Sequence, residues 1–387
     1  MARERQLVVL GIAGSIAAVR CFDLCRQLRR EGLDVQVLLS GSARGIVTEQ
    51  ALEFASGRKA ISSISGRVEH VKFFGKNGKA SLLLIAPATA NTISKIAMGI
   101  DDTPLTTFAT IAIGSGKPVL LAPAMHEPMY EHPIVVENLA KLQGRGVRVI
   151  APLLEDGKAK LAGIKEIVFE ARKSLRAAGR GAAMDGKKVL IASGAFSEKI
   201  DEVRSLTNSS SGKMGSAIAV ACALEGARVK MIGNGEHEEF IELEQAHEAG
   251  ELEAKVLREL GAGYDYFFCP AAIPDFEAKA AAGKMNSGKK TTIELRPRKK
   301  LLASVREKFP KLKIIAFKAV WGKGRREMER IAGKFRKENG LYAVCANDLK
   351  KSPFGSERTE VFFCGPEAKW LEGKKTWVAK GIAGLIA

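Results

Sequence analysis

The sequence predicts an α/β protein made of two successive doubly wound domains, and three observations carry that expectation. The chain has 387 residues, more than one ordinary core organises at roughly 150 residues per domain. Short continuous apolar runs alternate with amphipathic segments, the pattern of strands buried on both faces and joined by crossover helices. The alternation stops near residue 180 and then starts again.

The elements follow in order. Residues 6–12 form an apolar run that ends in Ala13-Gly14-Ser15 and a helical pattern to Arg30, which reads as strand, tight turn, helix. Further strands are expected at 34–40, 81–86 and 117–122, with helices between. Between Arg172 and Lys188 the pattern collapses into Lys, Arg, Ala and Gly, a composition that buries little, so residues 1–178 and 187–387 are read as domains with 179–186 as linker. The strand-turn-helix signal restarts at Lys188, and later strands are expected at 229–232, 264–269, 313–317 and 341–345. The two halves share no residue-level repeat.

Composition narrows the class. Hydrophobic residues make up 46% and charged residues 27%, as in globular proteins. No apolar run reaches the length of a bilayer span, and the N-terminus lacks a signal-peptide layout, so a cytoplasmic protein is expected. The six cysteines show no paired C-x-x-C spacing and read as reduced core thiols. A formal net charge of +18 attracts anions. Only 6% of residues are aromatic and no zinc-finger or RNA-binding signature is present, which favours phosphorylated small molecules over nucleic acid.

In the first half, Gly14 and Ser15 close a strand and open a helix, where free N–H groups and the helix dipole suit a phosphate. A second strand runs into Pro87-Ala88-Thr89-Ala90-Asn91, leaving room at its carboxyl end with Thr89 and Asn91 as hydrogen-bonding groups. Together with Val68-Glu69-His70-Val71 and Ala122-Pro123-Ala124-Met125-His126-Glu127-Pro128-Met129-Tyr130, these segments resemble the flavin-containing cysteine decarboxylases, over most of residues 6–170. The resemblance implies a flavodoxin-like Rossmann fold with bound FMN held by Gly14, Ser15, Ser40, Pro87, Thr89 and Asn91. It also implies a trimer-based homo-oligomer, up to a dodecamer, with sites at subunit contacts. A cysteinyl carboxylate has no adjacent electron sink, so oxidation of its thiol must precede loss of carbon dioxide, and flavin supplies that oxidation. The resemblance makes His70 the base, since imidazole titrates near neutrality.

Two departures stand out. The bacterial pattern has Asn where this chain has His126, so an imidazole donor is expected to take over recognition of the substrate carboxylate alongside Asn91 and Met125. The bacterial enzymes also carry a flap cysteine, and residues 154–163 contain none. The Glu155-Asp156-Gly157-Lys158-Ala159-Lys160 version is similar to archaeal members, which makes Lys158 or Lys160 the expected substrate contact or flap closure.

In the second half, Asn208-Ser209-Ser210-Ser211-Gly212-Lys213 precedes a helical run, and small residues there let backbone N–H groups approach a polyphosphate with Lys213 adding charge. With Glu198-Lys199-Ile200-Asp201-Glu202-Val203-Arg204, Ala271-Ala272-Ile273-Pro274-Asp275-Phe276, Gly283-Lys284-Met285-Asn286-Ser287 and Cys345-Ala346-Asn347-Asp348, it resembles the ligase domain of bifunctional phosphopantothenate-cysteine ligases across residues 186–364. That likeness implies CTP with Mg²⁺, activation of 4′-phosphopantothenate as an acyl-cytidylate, and attack by the amine of cysteine. Asn208 is the expected catalytic residue. Ser211, Gly212, Lys213, Asp275, Lys284, Lys289, Phe317 and Asn347 are the expected nucleotide contacts, and the metal ligands stay unassigned. The family's Phe-x-Ala-Glu becomes Phe317-Lys318-Ala319-Val320 here, losing an acid and leaving ATP open as the alternative to CTP.

Overall fold

The computed structural model describes residues 5–179, 181–278, 283–285, 288 and 292–387. The chain divides into two compact units, Met1–Gly181 and Ala182–Ala387.

In the first unit, β1 (Leu7–Ile12), β2 (Asp34–Leu39), β3 (Leu82–Ala88), β4 (Val119–Pro123) and β5 (Arg148–Val149) form one sheet in the order β2-β1-β3-β4-β5. Every pairing in it is parallel. This is the flavodoxin-like order, whose direction reverses between β1 and β3. Successive side chains of β1 serve opposite faces: Val8, Leu10 and Ile12 join a cluster with Leu24, Leu28 and Leu52, whereas Leu7 and Val9 join Phe74, Ile93 and Phe108. Both faces are thereby covered by helices, which explains the unbroken apolar runs.

In the second unit, β6 (Lys188–Ser193), β7 (Arg228–Gly233), β8 (Glu242–Gln245), β9 (Tyr266–Cys269), β10 (Lys313–Val320) and β11 (Ala343–Asp348) lie parallel in the order β8-β7-β6-β9-β10-β11. That is the Rossmann order, reversing between β6 and β9. Absent from the sequence reading are β8, whose Glu242-Leu243-Glu244-Gln245 is too polar to read as a buried strand, and β12 (Arg358–Cys364) and β13 (Ala368–Lys374), which extend the sheet antiparallel beyond β11. β13 is buried only at Leu371 and Gly373, and β12 opens on Arg358-Thr359-Glu360 before the buried Val361, Phe362 and Phe363, so neither reads as one continuous apolar strand.

Two local corrections apply. The helix Ile164–Ala177 runs past Arg172, because Ala171, Ser174 and Leu175 continue its buried stripe. Within the segment read as linker, Met184 is fully buried and its N–H donates to Glu225 O at 2.8 Å. All six cysteines are free, and five are buried. Among the described residues no helix is long and apolar enough to cross a membrane.

Candidate active sites

In the first unit the expected cofactor residues gather where the strand order reverses. The loops after β1 and β3 are joined by the Ala13 N–H, which donates to Pro87 O at 3.2 Å. Ser15 opens the short helix Ile16–Arg20, its hydroxyl accepting from the Ala17 N–H. Gly14 has no alternative there, since a Cβ would lie 2.3 Å from the Ser42 Cβ. The Ser40 hydroxyl accepts from the Ala43 N–H at 3.1 Å and shapes the neighbouring loop. Thr89, and not Asn91, caps the helix Ala90–Met98, accepting from the Thr92 N–H. The Asn91 amide is thus left exposed on the first turn with no capping duty. Pro87 is buried beneath. A turn that excludes side chains at a helix start, flanked by hydroxyls and a free amide, fits the phosphate of a flavin mononucleotide.

His70 lies on the short helix Glu69–Phe74. Phe73 and Phe74 of that helix share a core cluster with Ala13, Ala88 and Ala90, so the base candidate is anchored to the same sheet face as the cofactor loops. Its ring meets Phe108 edge-on at 6.5 Å, and its Nδ1 is buried without a hydrogen-bond partner. The residue before the helix, Val68, takes a left-handed φ of 47°, an uncommon conformation for a β-branched residue. Glu69 holds this loop by accepting from the Ser65 N–H at 2.9 Å and from its hydroxyl at 2.5 Å, and those bonds push its carboxyl down to about 2.

The segment after β4 is a small sheet. Met125–His126 pairs antiparallel with Lys158–Lys160, which pairs with Leu153–Glu155. Asp156 and Gly157 form the turn, both with positive φ, at 52° and 66°. The register sets His126 opposite Lys158 and Met125 opposite the buried Ala159. Lys160 is occupied by Glu155 at 2.9 Å and Asp156 at 2.7 Å. Of the two candidate lysines, Lys158 is therefore the one presented beside His126. Among the described residues of the first unit the thiols are Cys21 and Cys25, both on the helix Cys21–Arg30 and both pushed up by burial to about 12.

A cleft of about 320 Å³ lies at the opposite edge of this sheet, lined by Lys117, Arg145, Arg148 and Ser174. It contains none of the residues that the chemistry requires.

In the second unit a cleft opens at the carboxyl ends of β9, β10 and β11. Residues 210–215, Pro270, Phe317, Asn347 and Lys375 line it. Gly212 precedes the helix Lys213–Leu224 at a φ of 79° and gives it no side-chain cap. The first-turn N–H groups of Met214 and Gly215 consequently face the cleft end of the helix without intrahelical acceptors. Gly215 lets the helix sit against β6, because a Cβ there would lie 2.0 Å from the Ser193 hydroxyl.

The expected nucleotide residues separate into two groups. Ser211, Gly212, Lys213, Phe317 and Asn347 share the cleft. Asn208 is exposed and is not among the lining residues, which begin two positions later at Ser210. Asp275 is exposed with Lys300 at 3.8 Å, and Lys284 is exposed near the Asp201 turn, so neither lines the cleft. Lys289 lies outside the described residues. Buried Asp201 organises that turn, accepting from the N–H groups of Val203 at 2.8 Å, Arg204 at 2.6 Å and Met285 at 3.1 Å. Burial alone would raise its carboxyl pKa, but these donors outweigh it and hold the group at about 2. Asp348 works similarly beside Asn347, accepting from Gly322 and Lys350. Lys375 was not anticipated, as it belongs to a Lys374-Lys375 pair without diagnostic spacing.

The family described as Flavoprotein matches residues 1–176, and the family described as DNA/pantothenate metabolism flavoprotein C-terminal domain matches residues 184–387. The chain is similar to the coenzyme A biosynthesis bifunctional protein CoaBC of Thermococcus kodakarensis, 43% identical across 92% of this chain and 88% of that protein. It is similar to the CoaBC protein of Methanocaldococcus jannaschii, 32% identical across 99% of this chain and 94% of that one. Among solved structures, the C-terminal domain of a CoaBC protein is 27% identical, covering 53% of this chain and 96% of that domain with a TM-score of 0.44.

Proposed function

Since this chain belongs to the CoaBC family of bifunctional coenzyme A biosynthesis proteins, we propose that its second unit ligates 4′-phosphopantothenate to cysteine using CTP, and that its first unit decarboxylates the conjugate to 4′-phosphopantetheine. One observation carries this reading: each unit presents an anion-accepting turn at the point where its strand order reverses.

In the ligase unit a carboxylate resists an amine until one oxygen becomes a leaving group, which the acyl-cytidylate provides. The helix start at Lys213 offers N–H groups and partial positive charge to phosphate oxygens as charge develops. Phe317 and Asn347 supply an aromatic face and an amide for the nucleotide, and Asn208, two residues before the lining Ser210, handles the acyl-nucleotide. Among the described residues no three acidic, His or Cys side chains are grouped to hold a metal. Magnesium commonly enters such sites on the triphosphate itself.

In the decarboxylase unit Gly14, Ser15, Ser40, Pro87, Thr89 and Asn91 hold FMN, which supplies the two-electron oxidation of the cysteinyl thiol when bound. The His70 imidazole accepts the thiol proton. Asn91 and His126 donate hydrogen bonds to the substrate carboxylate, and Lys158 adds charge beside His126. Exposed Ile16 (77%), Val19, Val68 and Val71 surround this site and support a trimer-based assembly in which a neighbouring copy covers it. A cytoplasmic location suits such substrates.

Assaying the two halves separately tests the reading. Pyrophosphate release should require both CTP and 4′-phosphopantothenate, while carbon dioxide release should require only the conjugate. Dependence of carbon dioxide release on the nucleotide would contradict it.

A further inference from the structure

We propose that Lys375 is the ammonium that receives a phosphate group of the ligase substrates, a role that sequence pattern alone gives to Lys213; the proposal rests on the ligase reading above. The Lys213 ammonium is already committed. It donates to Gly355 O at 3.2 Å and pairs with Glu357, with Glu236 at 3.8 Å. It therefore ties the start of its helix to the loop that forms one wall of the cleft.

Lys375 lines the same cleft and is half-buried. Its backbone N–H donates to Glu357 O at 2.9 Å, which fixes where the side chain starts. Its ammonium has no hydrogen-bond or ion-pair partner among the described residues. Burial first, and then the charge of Lys213, lower its pKa from the ordinary lysine value, while Glu357 and Glu236 act in the other direction. A cation partly withdrawn from water beside a like charge is uncompensated, and a phosphate entering the cleft relieves both penalties.

The backbone points the same way. The helices Lys213–Leu224 and Lys375–Ile386 pack against each other, and both begin at the cleft without a side-chain cap. The helix dipoles, the first-turn N–H groups other than that of Lys375, and the Lys375 ammonium all favour one dianionic or polyanionic group. Either the 4′-phosphate or the triphosphate has that chemistry.

The test uses the full chain with Lys375→Gln and Lys375→Arg, each checked for folding by circular dichroism and melting temperature. Loss of one charge-assisted contact should raise one KM by about tenfold or more in Lys375→Gln, with kcat changed less, and Lys375→Arg should restore most of it. A rise in the KM for 4′-phosphopantothenate, with loss of preference over unphosphorylated pantothenate, identifies the 4′-phosphate. A rise in the KM for CTP identifies the triphosphate. Calorimetric titration with inorganic pyrophosphate reads the site without turnover, and wild type should bind about tenfold more tightly than Lys375→Gln. Unchanged KM values together with equal pyrophosphate affinity would overturn the proposal. A wild-type chain that binds pyrophosphate through Lys375 yet releases none from CTP would instead count against the ligase reading.

Discussion

His70 is anchored to the sheet face that carries the cofactor loops, and its Nδ1 is buried without a hydrogen-bond partner. Phe108 fixes the ring from its edge, and the Glu69 staple on Ser65 holds the loop that delivers it. Replacing His70 with Asn should leave the yellow FMN spectrum intact and slow carbon dioxide release by about 10²–10⁴-fold. Unchanged turnover would remove His70 from the mechanism. Much at this scale was legible, because Gly14, Ser15 and Thr89 lie at strand ends where geometry restricts the residue type. Other residues gave no such signal. The duty of Lys213 toward Glu357 joins positions 144 apart in sequence, and no local spacing announces it. Lys375 was missed for the same reason, since its meaning comes from the loop and helix folded against it.

Among the elements, β1, β3 and β6 were readable because burial on both faces leaves few polar positions inside them, whereas the polar parallel strand β8 was not. The antiparallel strands β12 and β13 were not, because polar and charged residues occupy the first half of β12 and charged residues interrupt β13. The flap shows a third case. Its Asp156-Gly157 pair is a strong hairpin signal, but its flanking strands have only three residues each and carry charges, so charge composition masked the hairpin. The hairpin does what a loop could not: its register places Lys158 across from His126 and leaves Lys160 to its acidic neighbours. Gly157→Val forces a β-branched residue into a left-handed turn at a cost of about 1–2 kcal/mol. We expect that variant to retain FMN while its KM for the conjugate rises. A KM equal to wild type would show that the flap register does not position substrate.

At the scale of the whole molecule, a chain of net charge +18 serves two successive reactions whose phosphorylated substrates are anionic. The doubly wound plan was predictable from the repeated alternation of apolar runs and helices, and its restart after residue 180 marked the second unit. What could not be read was the order of strands, and with it the place where each sheet reverses. That place is what turns scattered motifs into sites: Ala13 meets Pro87 across one reversal, and the glycine turn at Gly212 faces Pro270 beside the other. The central claim is that one polypeptide performs both steps. Its most direct test is to incubate the purified chain with 4′-phosphopantothenate, cysteine, CTP and magnesium, and to follow products by mass. The account predicts 4′-phosphopantetheine preceded by the cysteine conjugate; a preparation that retains no flavin and forms neither compound, with CTP or with ATP, would contradict it.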